Sequence, residues 1–368
     1  MNYKLKPYSK PTVNQPKRYG VIKLAQDVHA HFVVFSIQEE GQVPKAPRKM
    51  LYPFYRAYVE KLAAQSEKVY SCYEAGPTGY ALHRELTKLG IENIVVAPVK
   101  LDERNKGVVN DNTDTLALAS KLERYVAGNK RIFTVVPVPT PEQEQERALT
   151  RQRQQLQEQR LSLAAQGRSF VLTQGEAISN EWWKPKLWDY YSKKLASWLI
   201  ERLEIFRGLI LAIDQQMKAL DERIQKAFEA KKVARPAYAG EKTLAIIENE
   251  LRGFERFTSW RKVGSYSGLT GGVSSSGQSH SDLNITKAGN PRLRRALIQL
   301  AWRFASAGHQ PDYWLNKKYA PILGPGKATH RRARKKAIVA YARLMLVDIW
   351  KWRTGRITPE KLGWVMAA

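Results

Sequence analysis

The stretch "VYSCYEAGPTGYALHRELTKLGIENIVVAPV", Val69–Val99, decides the fold class. Its residues predict a short β-branched and aromatic strand, a Gly-Pro turn, a helix over 79–89 and a second strand, Asn93–Val99. Outward from it, the sequence predicts strands at Phe32–Ile37 and Ile132–Val138 and helices at 52–66 and 112–127. Strands that alternate with helices predict an α/β layer with a mixed sheet.

Two long helices are predicted after this layer. Thr140, Pro141 and Gln143 carry the signature of a capping box, and the polar helix that they start is expected to end at Gly167. A second helix is predicted over roughly residues 186–230. Its apolar side chains recur at alternating spacings of four and three: Leu199, Leu203, Phe206, Ile210, Ile213, Met217, Leu220 and Ile224. That heptad seam predicts a coiled coil, whose partner is either the first helix or another subunit.

The charge of the chain points to a polyanionic partner. The 368 residues include 61 Lys+Arg against 34 Asp+Glu, a formal net charge of +27. Residues 251–368 alone hold 22 basic and 5 acidic side chains, so this last third is expected to provide much of the contact. Nucleic acid is favoured over an anionic membrane, and no uninterrupted apolar run has transmembrane length.

Composition divides the chain into four segments. They are a basic flexible arm (1–18), an α/β domain (19–139), a helical linker (140–232) and a basic, mostly helical domain (233–368). The one cysteine, Cys72, excludes an internal disulfide and suits a reducing cytoplasm. No Cys/His cluster has zinc spacing, and the isolated histidines His29 and His31 are expected to be surface residues rather than ligands.

Four carboxylates lie where metal-dependent phosphoryl transfer would need them. Asp27 is near the end of the strand-like "GVIKLAQD", and Glu74 closes "VYSCYE". Asp111 and Asp114 are three residues apart at a helix start, so they share one face. Carboxylates that converge from strand ends and a helix face can hold Mg²⁺. The alternative is that each residue only ends a strand or favours a helix N-terminus.

The stretch "SSSGQSHSDLNITKAGNPRLRRALIQLAWRF", Ser274–Phe304, combines serines with a basic helix start. Asn290 is expected to cap the helix and Pro291 to begin it. Phosphate-binding candidates in and before its first turn are Lys287, Arg292, Arg294 and Arg295. A serine beside such a clamp could attack a phosphodiester. The alternative is a DNA-binding helix that follows an inert, flexible glycine- and serine-rich loop.

A second basic run, "KATHRRARKK", covers Lys327–Lys336. Its candidates for contact with phosphate are Arg331, Arg332, Arg334, Lys335 and Lys336. A solvated helix face is the other interpretation, but at this charge density nucleic acid is preferred.

Five segments carry a resemblance to a known family. "QDVHA", "YEAGPTGY", "DNTDTLALA", "SGLTGGVSSSG" and "ITKAGNPRLRRAL" stand in the order and roughly the spacing of the DEDD insertion-sequence transposases, the bridge-RNA-guided recombinases related to Piv-type DNA invertases. The resemblance covers about residues 20–365. It implies a RuvC-like, RNase H-type domain, a coiled-coil arm and a C-terminal serine domain. It further implies that Asp27, Glu74, Asp111 and Asp114 bind Mg²⁺ and that Ser276 becomes covalently linked to DNA.

The same resemblance implies the partners. They are donor and target DNA, a structured guide RNA from the element's own end, and further copies of this chain. In a dimer or tetramer, the acidic domain of one subunit would work with the serine of another, in the bacterial cytoplasm at the nucleoid. The sequence departs from the family pattern at Asn112 and Thr113, where basic residues are usual, and at Tyr238–Glu241, where a Pro-Gly hairpin is expected.

Two alternatives to a recombinase stay open. One is a RuvC-like nuclease that hydrolyses DNA with metal-activated water and leaves Ser276 idle. The other is an inactivated relative that still binds nucleic acid through its basic surface.

Overall fold

A computed structural model describes residues 18–98, 111–276, 279–306, 308–324 and 330–367 of the chain, with the backbone alone at 273–276 and 279–282. The chain divides into two compact units between Val138 and Pro139. All of the predicted N-terminal arm except Arg18 lies outside the described residues.

The first unit is a mixed α/β layer, as the sequence predicts. Its elements are β1 (Tyr19–Val28), β2 (Phe32–Glu39), β3 (Arg48–Leu51), α1 (Tyr52–Gln65), β4 (Ser66–Glu74), α2 (Ala81–Lys88), β5 (Glu92–Val96) and α3 (Asp111–Val126). The sheet has the strand order β3-β2-β1-β4-β5. Strands β1, β4 and β5 run parallel, and β2 pairs antiparallel with β1 and β3.

The two faces of this sheet bury different helices. One face packs Leu24 and Tyr73 together with Tyr55 of α1 and Leu86 of α2. The opposite face packs Ala25 and Cys72 against Leu118, Ala119 and Leu122 of α3. Because side chains alternate along a strand, the odd-numbered positions of β1 and the even-numbered positions of β4 face α3.

The prediction of a strand at Ile132–Val138 is wrong. Lys130–Ile132 form a 3₁₀ turn, and the segment after this turn makes a single antiparallel bridge, Val135 to Val96. The hydrogen bond from Val136 N to Val95 O is 2.7 Å long. Pro137 and Pro139 come directly after Val136 and Val138, and neither has an N–H to donate, so the pairing cannot extend into a strand.

The second unit is mostly helical. It contains α4 (Pro141–Leu172), α5 (Pro185–Lys194), α6 (Ser197–Ala230), α7 (Glu241–Leu251), α8 (Trp260–Tyr266), β6 (Gly271–Ser276), β7 (Ser279–Ile285), α9 (Pro291–Phe304), α10 (Trp314–Leu323), α11 (Arg331–Arg353) and α12 (Pro359–Leu362). Its main core lies among α7, α9 and α11, where Leu293, Leu297, Tyr341 and Met345 are fully buried. Of the helices in the described ranges, none combines the length and the hydropathy needed to cross a bilayer.

The heptad seam of α6 packs within this chain. Arg153 Nε on α4 lies 3.0 Å from Asp221 on α6, and Arg160 Nη1 lies 2.7 Å from Asp214. The numbering rises along α4 as it falls along α6, so the two helices are antiparallel. Leu203 and Ile210 of the seam share a cluster with Ala164 and Val171 of α4, whereas Ile224 joins the main core of the unit. The coiled coil itself stays a prediction.

The predicted helix end at Gly167 is wrong, because α4 continues to Leu172. A Cβ atom on Gly167 would lie 2.5 Å from Trp182 Cζ2. Trp182 is fully buried, and its Nε1 donates a hydrogen bond of 3.1 Å to Ala164 O. The glycine is therefore explained by the close approach of an indole ring to the helix and not by termination.

The single helix predicted over 186–230 is also wrong. Leu195 and Ala196 have ψ angles of 155° and 143°, which break it into α5 and α6. Trp188, Tyr191 and Leu195 pack against the cluster around Trp182. The break therefore lets α5 cover this cluster while α6 continues along α4.

Candidate functional site

Asp27 and Glu74 lie at the ends of neighbouring parallel strands. The register pairs Gln26 of β1 with Tyr73 of β4, so each carboxylate is one residue beyond that pair. Both positions face α3, since they lie two residues beyond Ala25 and Cys72. The carboxyl ends of two adjacent strands thus present two acids on one face of the sheet.

The remaining two carboxylates are in the first turn of α3. Asp114 is one helical turn before Leu118, which packs on the sheet, so the start of α3 lies over the strand ends. We call Asp27, Glu74, Asp111 and Asp114 the acidic edge. That all four carboxylates converge on one metal stays a prediction of the sequence.

His29 joins the acidic edge, although the sequence alone favours a surface position for it. Its Nε2 lies 3.1 Å from Asp27 Oδ2 and 3.4 Å from Asp111 Oδ2. The ring stacks on Phe32, with 4.4 Å between the centroids. One ligand atom each from Asp27, His29 and Asp111 lies within 4.8 Å of the other two. His31 is exposed, as expected.

The pKa of Asp27 reports first its burial and then the charges around it. Partial burial raises it above the ordinary aspartate value, and the charges of Asp111 and Asp114 raise it further. His29 acts in the opposite direction through its charge and hydrogen bond. A cation among these carboxylates would relieve the repulsion between them.

The donor atoms of the acidic edge fit a divalent cation. Carboxylate oxygens are the hard ligands that Mg²⁺ takes in phosphoryl-transfer sites, and Mg²⁺ also keeps several waters. An imidazole nitrogen is a softer donor that suits Zn²⁺, Fe²⁺ or Ni²⁺ better than Mg²⁺. The acids could therefore hold the metal, with His29 as a further ligand or as a partner of Asp27.

Ser276 is the last residue of β6 in a two-stranded antiparallel ribbon. Its backbone pairs with Ser279, and Ser274 pairs with Ser281. Where the glycines and serines suggest a flexible loop, the described residues form two paired strands, β6 and β7, which we call the serine hairpin (271–276 and 279–285). Backbone pairing gives the segment an order that composition does not reveal.

The segments that enter and leave the serine hairpin cross at Gly268 and Gly289. A Cβ atom on Gly289 would lie 2.6 Å from both Gly268 N and Tyr266 O. Gly268 has a φ of +66°, and a Cβ there would lie 2.7 Å from Arg294 Nη1. Backbone hydrogen bonds from Lys287 N to Gly268 O and from Asn290 N to Tyr266 O close the crossing. The base of the hairpin is therefore fixed to the start of α9.

Asn290 caps α9, as the sequence predicts. Its Oδ1 accepts hydrogen bonds from the N–H groups of Arg292 at 3.0 Å and Leu293 at 3.2 Å. Arg294 Nη1 donates to Ser267 O at 3.1 Å and to Lys287 O at 3.3 Å. These contacts hold the glycine crossing, a role that the sequence does not suggest.

Contacts within the protein hold the other basic side chains at this helix start less tightly. Arg295 Nη1 lies 3.0 Å from Glu158 of α4, and both side chains are more than half exposed. Arg292 is half-buried, and Lys287 is exposed with a φ of +55°. Their contact with nucleic acid stays a prediction.

The second basic run begins α11. His330 caps this helix by accepting the N–H of Arg332 at its Nδ1, 3.2 Å away. Four basic side chains in the first turns are exposed: Arg331, Arg332, Lys335 and Lys336. Arg334 is half-buried. Lys327 lies outside the described residues. An exposed basic helix start suits either interpretation of this run.

Comparison with known proteins identifies the family. Residues 239–320, which include the serine hairpin, match the family described as Transposase IS116/IS110/IS902. The chain is 31% identical to "Putative transposase y4qE" of Sinorhizobium fredii, over 68% of this chain and 62% of that protein. It is 30% identical to "Putative transposase y4rJ" of the same organism, over 78% of this chain and 77% of that protein.

A third relative matches over a shorter stretch. The transposase for insertion sequence element IS1533 of Leptospira borgpetersenii is 33% identical over 22% of this chain and 23% of that protein. The chain spans less than two thirds of the first relative's length but more than three quarters of the second's. By these matches, the chain belongs to the IS116/IS110/IS902 family of insertion-sequence transposases.

Proposed function

We propose that this protein is an RNA-guided DNA transposase and recombinase that cleaves and rejoins DNA through a phosphoserine intermediate on Ser276. The acidic edge would hold Mg²⁺ on the same phosphate. In this proposal the first unit is a RuvC-like domain, α4 and α6 form a coiled-coil arm, and the protein acts on nucleoid DNA as a dimer or tetramer.

The observation that carries the proposal is the cluster of Asp27, His29 and Asp111 in the acidic edge. Asp27, Asp111 and His29 approach within metal-binding distance, and Glu74 ends the adjacent strand on the same face. The strand order, with parallel β1, β4 and β5 and antiparallel β2 and β3, is compatible with a RuvC-like sheet. Membership of a transposase family supports DNA as the substrate.

The proposed chemistry is a transesterification. Ser276 Oγ would bond to a DNA phosphorus as a phosphorus–oxygen bond to deoxyribose breaks, and the released hydroxyl would later reverse the step on another strand. Mg²⁺ at the acidic edge would supply neutralisation of the charge that develops on the phosphate. Lys287, Arg292, Arg294, Arg295 and the basic start of α11 would hold the nucleic-acid backbone.

The deciding experiment traps the intermediate. Protein is incubated with guide RNA and a DNA substrate nicked beside the cleavage site, denatured in SDS and examined for a protein–DNA adduct. We expect an adduct with the wild type and none with Ser276→Ala. Ser274→Ala, in the same strand, is the matched control and should keep the adduct.

Two outcomes separate the alternatives, and a third tests the acidic edge. Cleavage without an adduct, unchanged in Ser276→Ala, would establish a metal-dependent nuclease. Binding without cleavage in both proteins would establish an inactive nucleic-acid binder. Loss of the adduct in Asp27→Asn and in Asp114→Asn would tie the acidic edge to the same reaction.

Two further measurements test the partners. Protein purified from cells that carry the whole element should bring down one discrete RNA species. Mixing Asp27→Asn protein with Ser276→Ala protein should restore activity if the acidic edge and the serine of one reaction come from different subunits. Failure of the mixture, while each variant still assembles with wild type, would place both groups in one subunit.

A further inference from the structure

A cavity of about 580 Å³ lies between α8, α10 and α11 in the second unit. We call it the tryptophan cavity, because Trp260 and Trp314 both line it. Arg261, Arg343 and Lys351 also line it, as does Asp348. None of these residues belongs to the acidic edge or to the basic runs that the sequence singles out.

Trp314 is held in place although part of it is exposed. Its Nε1 donates a hydrogen bond of 2.7 Å to Asp348 Oδ2, which also accepts the hydroxyl of Tyr313 at 2.8 Å. Asp348 is only 4% exposed, whereas 37% of Trp314 is exposed. A buried carboxylate therefore fixes the edge of an indole ring beside the cavity. Such an aromatic surface loses little conformational entropy when a flat ligand stacks on it.

Trp260, at the start of α8, gives the cavity a second aromatic surface. It is 52% exposed, and the Arg261 guanidinium lies 4.8 Å from its ring centroid. A large aromatic side chain with half of its area in water gains free energy when a partner covers it. The nearby guanidinium can stack on a ring, and its positive charge can bind an anion.

The charges around the tryptophan cavity select an anionic occupant. Three cations, Arg261, Arg343 and Lys351, line it against one carboxylate. That carboxylate, Asp348, already has Oδ2 engaged by two donors from Tyr313 and Trp314. A flat ring on the tryptophans with phosphate on the cations satisfies both features. The volume falls within the roughly 300–1,000 Å³ of small-ligand sites.

We propose that the tryptophan cavity binds an unpaired nucleotide of the substrate nucleic acid. Its base would stack on Trp260 or Trp314, and its phosphates would contact Arg261, Arg343 and Lys351. Stacking on aromatic side chains beside basic residues is the common means of holding single strands without reading their sequence. The inference rests on a nucleic-acid substrate but not on the chemistry of Ser276.

The position of the cavity relates it to the serine hairpin. Thr270 lines the cavity and directly precedes β6, which ends at Ser276. Six residues of strand span roughly 20 Å. A nucleotide in the cavity would therefore lie within a few nucleotides of a phosphate at the hairpin end. The cavity would hold a strand unpaired close to that end of the hairpin.

Binding of short single strands tests this inference. Fluorescence anisotropy is measured with fluorescein-labelled oligothymidylate, with oligouridylate and with a duplex of equal length. We expect Trp260→Ala to weaken single-strand binding about tenfold and duplex binding little. Trp314→Phe, which keeps a ring but loses the N–H donor to Asp348, should weaken it less. An equal loss of binding for oligothymidylate and oligouridylate would mean that the cavity accepts DNA and RNA alike. An unequal loss would show which of the two it prefers.

Trp302→Ala is the matched control. Trp302 is 39% exposed in the same unit but does not line the tryptophan cavity, so single-strand binding should be unchanged. Unchanged binding in Trp260→Ala, or equal loss for duplex and single strand, would overturn the inference. The inference would also be overturned if Trp260→Ala lost binding of an apolar dye but kept binding of the oligonucleotide. A protein–DNA adduct that persists in a variant defective in single-strand binding separates this inference from the proposed recombination.

Discussion

Asn290 joins the start of α9 to Glu250 of α7. Its Nδ2 donates a hydrogen bond of 2.7 Å to Glu250 Oε2, while its Oδ1 caps the helix. Glu250 is 1% exposed and also accepts two hydrogen bonds of 2.8 Å from Arg151 of α4. One buried carboxylate thus links three helices and orients the turn that leads out of the serine hairpin.

Removing the charge of Glu250 should destabilise the second unit. Glu250→Gln removes the buried carboxylate charge that accepts two hydrogen bonds from Arg151, and we expect a loss of about 2–3 kcal/mol in the free energy of unfolding. The loss stays below that of a fully buried pair because Arg151 keeps about a third of its side chain exposed. Urea unfolding measures it. Glu158→Gln, in the exposed pair with Arg295, is the control and should cause no measurable change.

The same carboxylate should make stability depend on pH. Burial alone would raise the pKa of Glu250, but hydrogen bonds from Arg151 and Asn290 and the charges of Arg151 and Arg147 hold it below the ordinary glutamate value. Its charge therefore stabilises the fold above the pKa of the unfolded chain. This contribution is lost as the pH falls below the ordinary glutamate pKa of about 4.3 and through the lower folded-state value. Urea midpoints should fall less steeply with acid in Glu250→Gln than in wild type; parallel curves would contradict this assignment.

The glycine crossing at the base of the serine hairpin should not tolerate a methyl group. In Gly289→Ala the new Cβ meets backbone atoms of Gly268 and Tyr266, which cannot rotate away. We expect a loss of about 1–3 kcal/mol in the free energy of unfolding, together with loss of the protein–DNA adduct. Gly271→Ala is the control, because its nearest neighbour, Leu283 O, is at an ordinary 3.8 Å. Equal stability of the two variants would show that the crossing is loose.

Two glycines in the long helices should respond to alanine in opposite directions. Gly167→Ala gains helix propensity but collides with buried Trp182, so we expect a net loss of about 1–3 kcal/mol. Gly208→Ala in α6 has nothing within 4 Å, so we expect a gain of up to about 1 kcal/mol. Thermal unfolding followed by circular dichroism compares them. A gain in both variants would mean that Trp182 can move away.

His29 should contribute to metal binding at the acidic edge. His29→Ala removes a nitrogen 3.1 Å from Asp27 Oδ2, and we expect Mn²⁺ affinity to fall about 10–100-fold. Electron paramagnetic resonance of free Mn²⁺ measures this without reference to activity. His31→Ala, two residues further and exposed, is the control. Unchanged Mn²⁺ affinity in His29→Ala would leave the carboxylates as the metal-binding groups.

Local signals in the sequence predict much of the fold. The capping box at Thr140 is present: Gln143 N donates to Thr140 Oγ1 at 3.3 Å, and Thr140 N donates to Gln143 Oε1 at 3.1 Å. Asn290 caps α9. The strand ends at Asp27 and Glu74 follow from the alternation of apolar strands and helices. These features depend on residues close in sequence, and their patterns therefore show in a short window.

Features that depend on distant partners are not readable in this way. Nothing near Gly167 in the sequence indicates the indole of Trp182, so its glycine suggests a helix end. The ring of His29 reaches Asp111 only because α3 lies over the sheet. The serine hairpin is held by pairing and by a glycine crossing, whereas composition alone suggests a loop. In each case the deciding contact joins segments whose approach only the tertiary structure sets.

The glycine crossing fixes the base of the serine hairpin. Its two strands leave from one fixed point, so their length alone sets how far Ser276 extends from the body of the second unit. Lengthening both strands by two residues would move the serine outward by roughly 7 Å and keep its facing, since the side-chain period is two. A change in ribbon length would thus move Ser276 while the helical core stays the same.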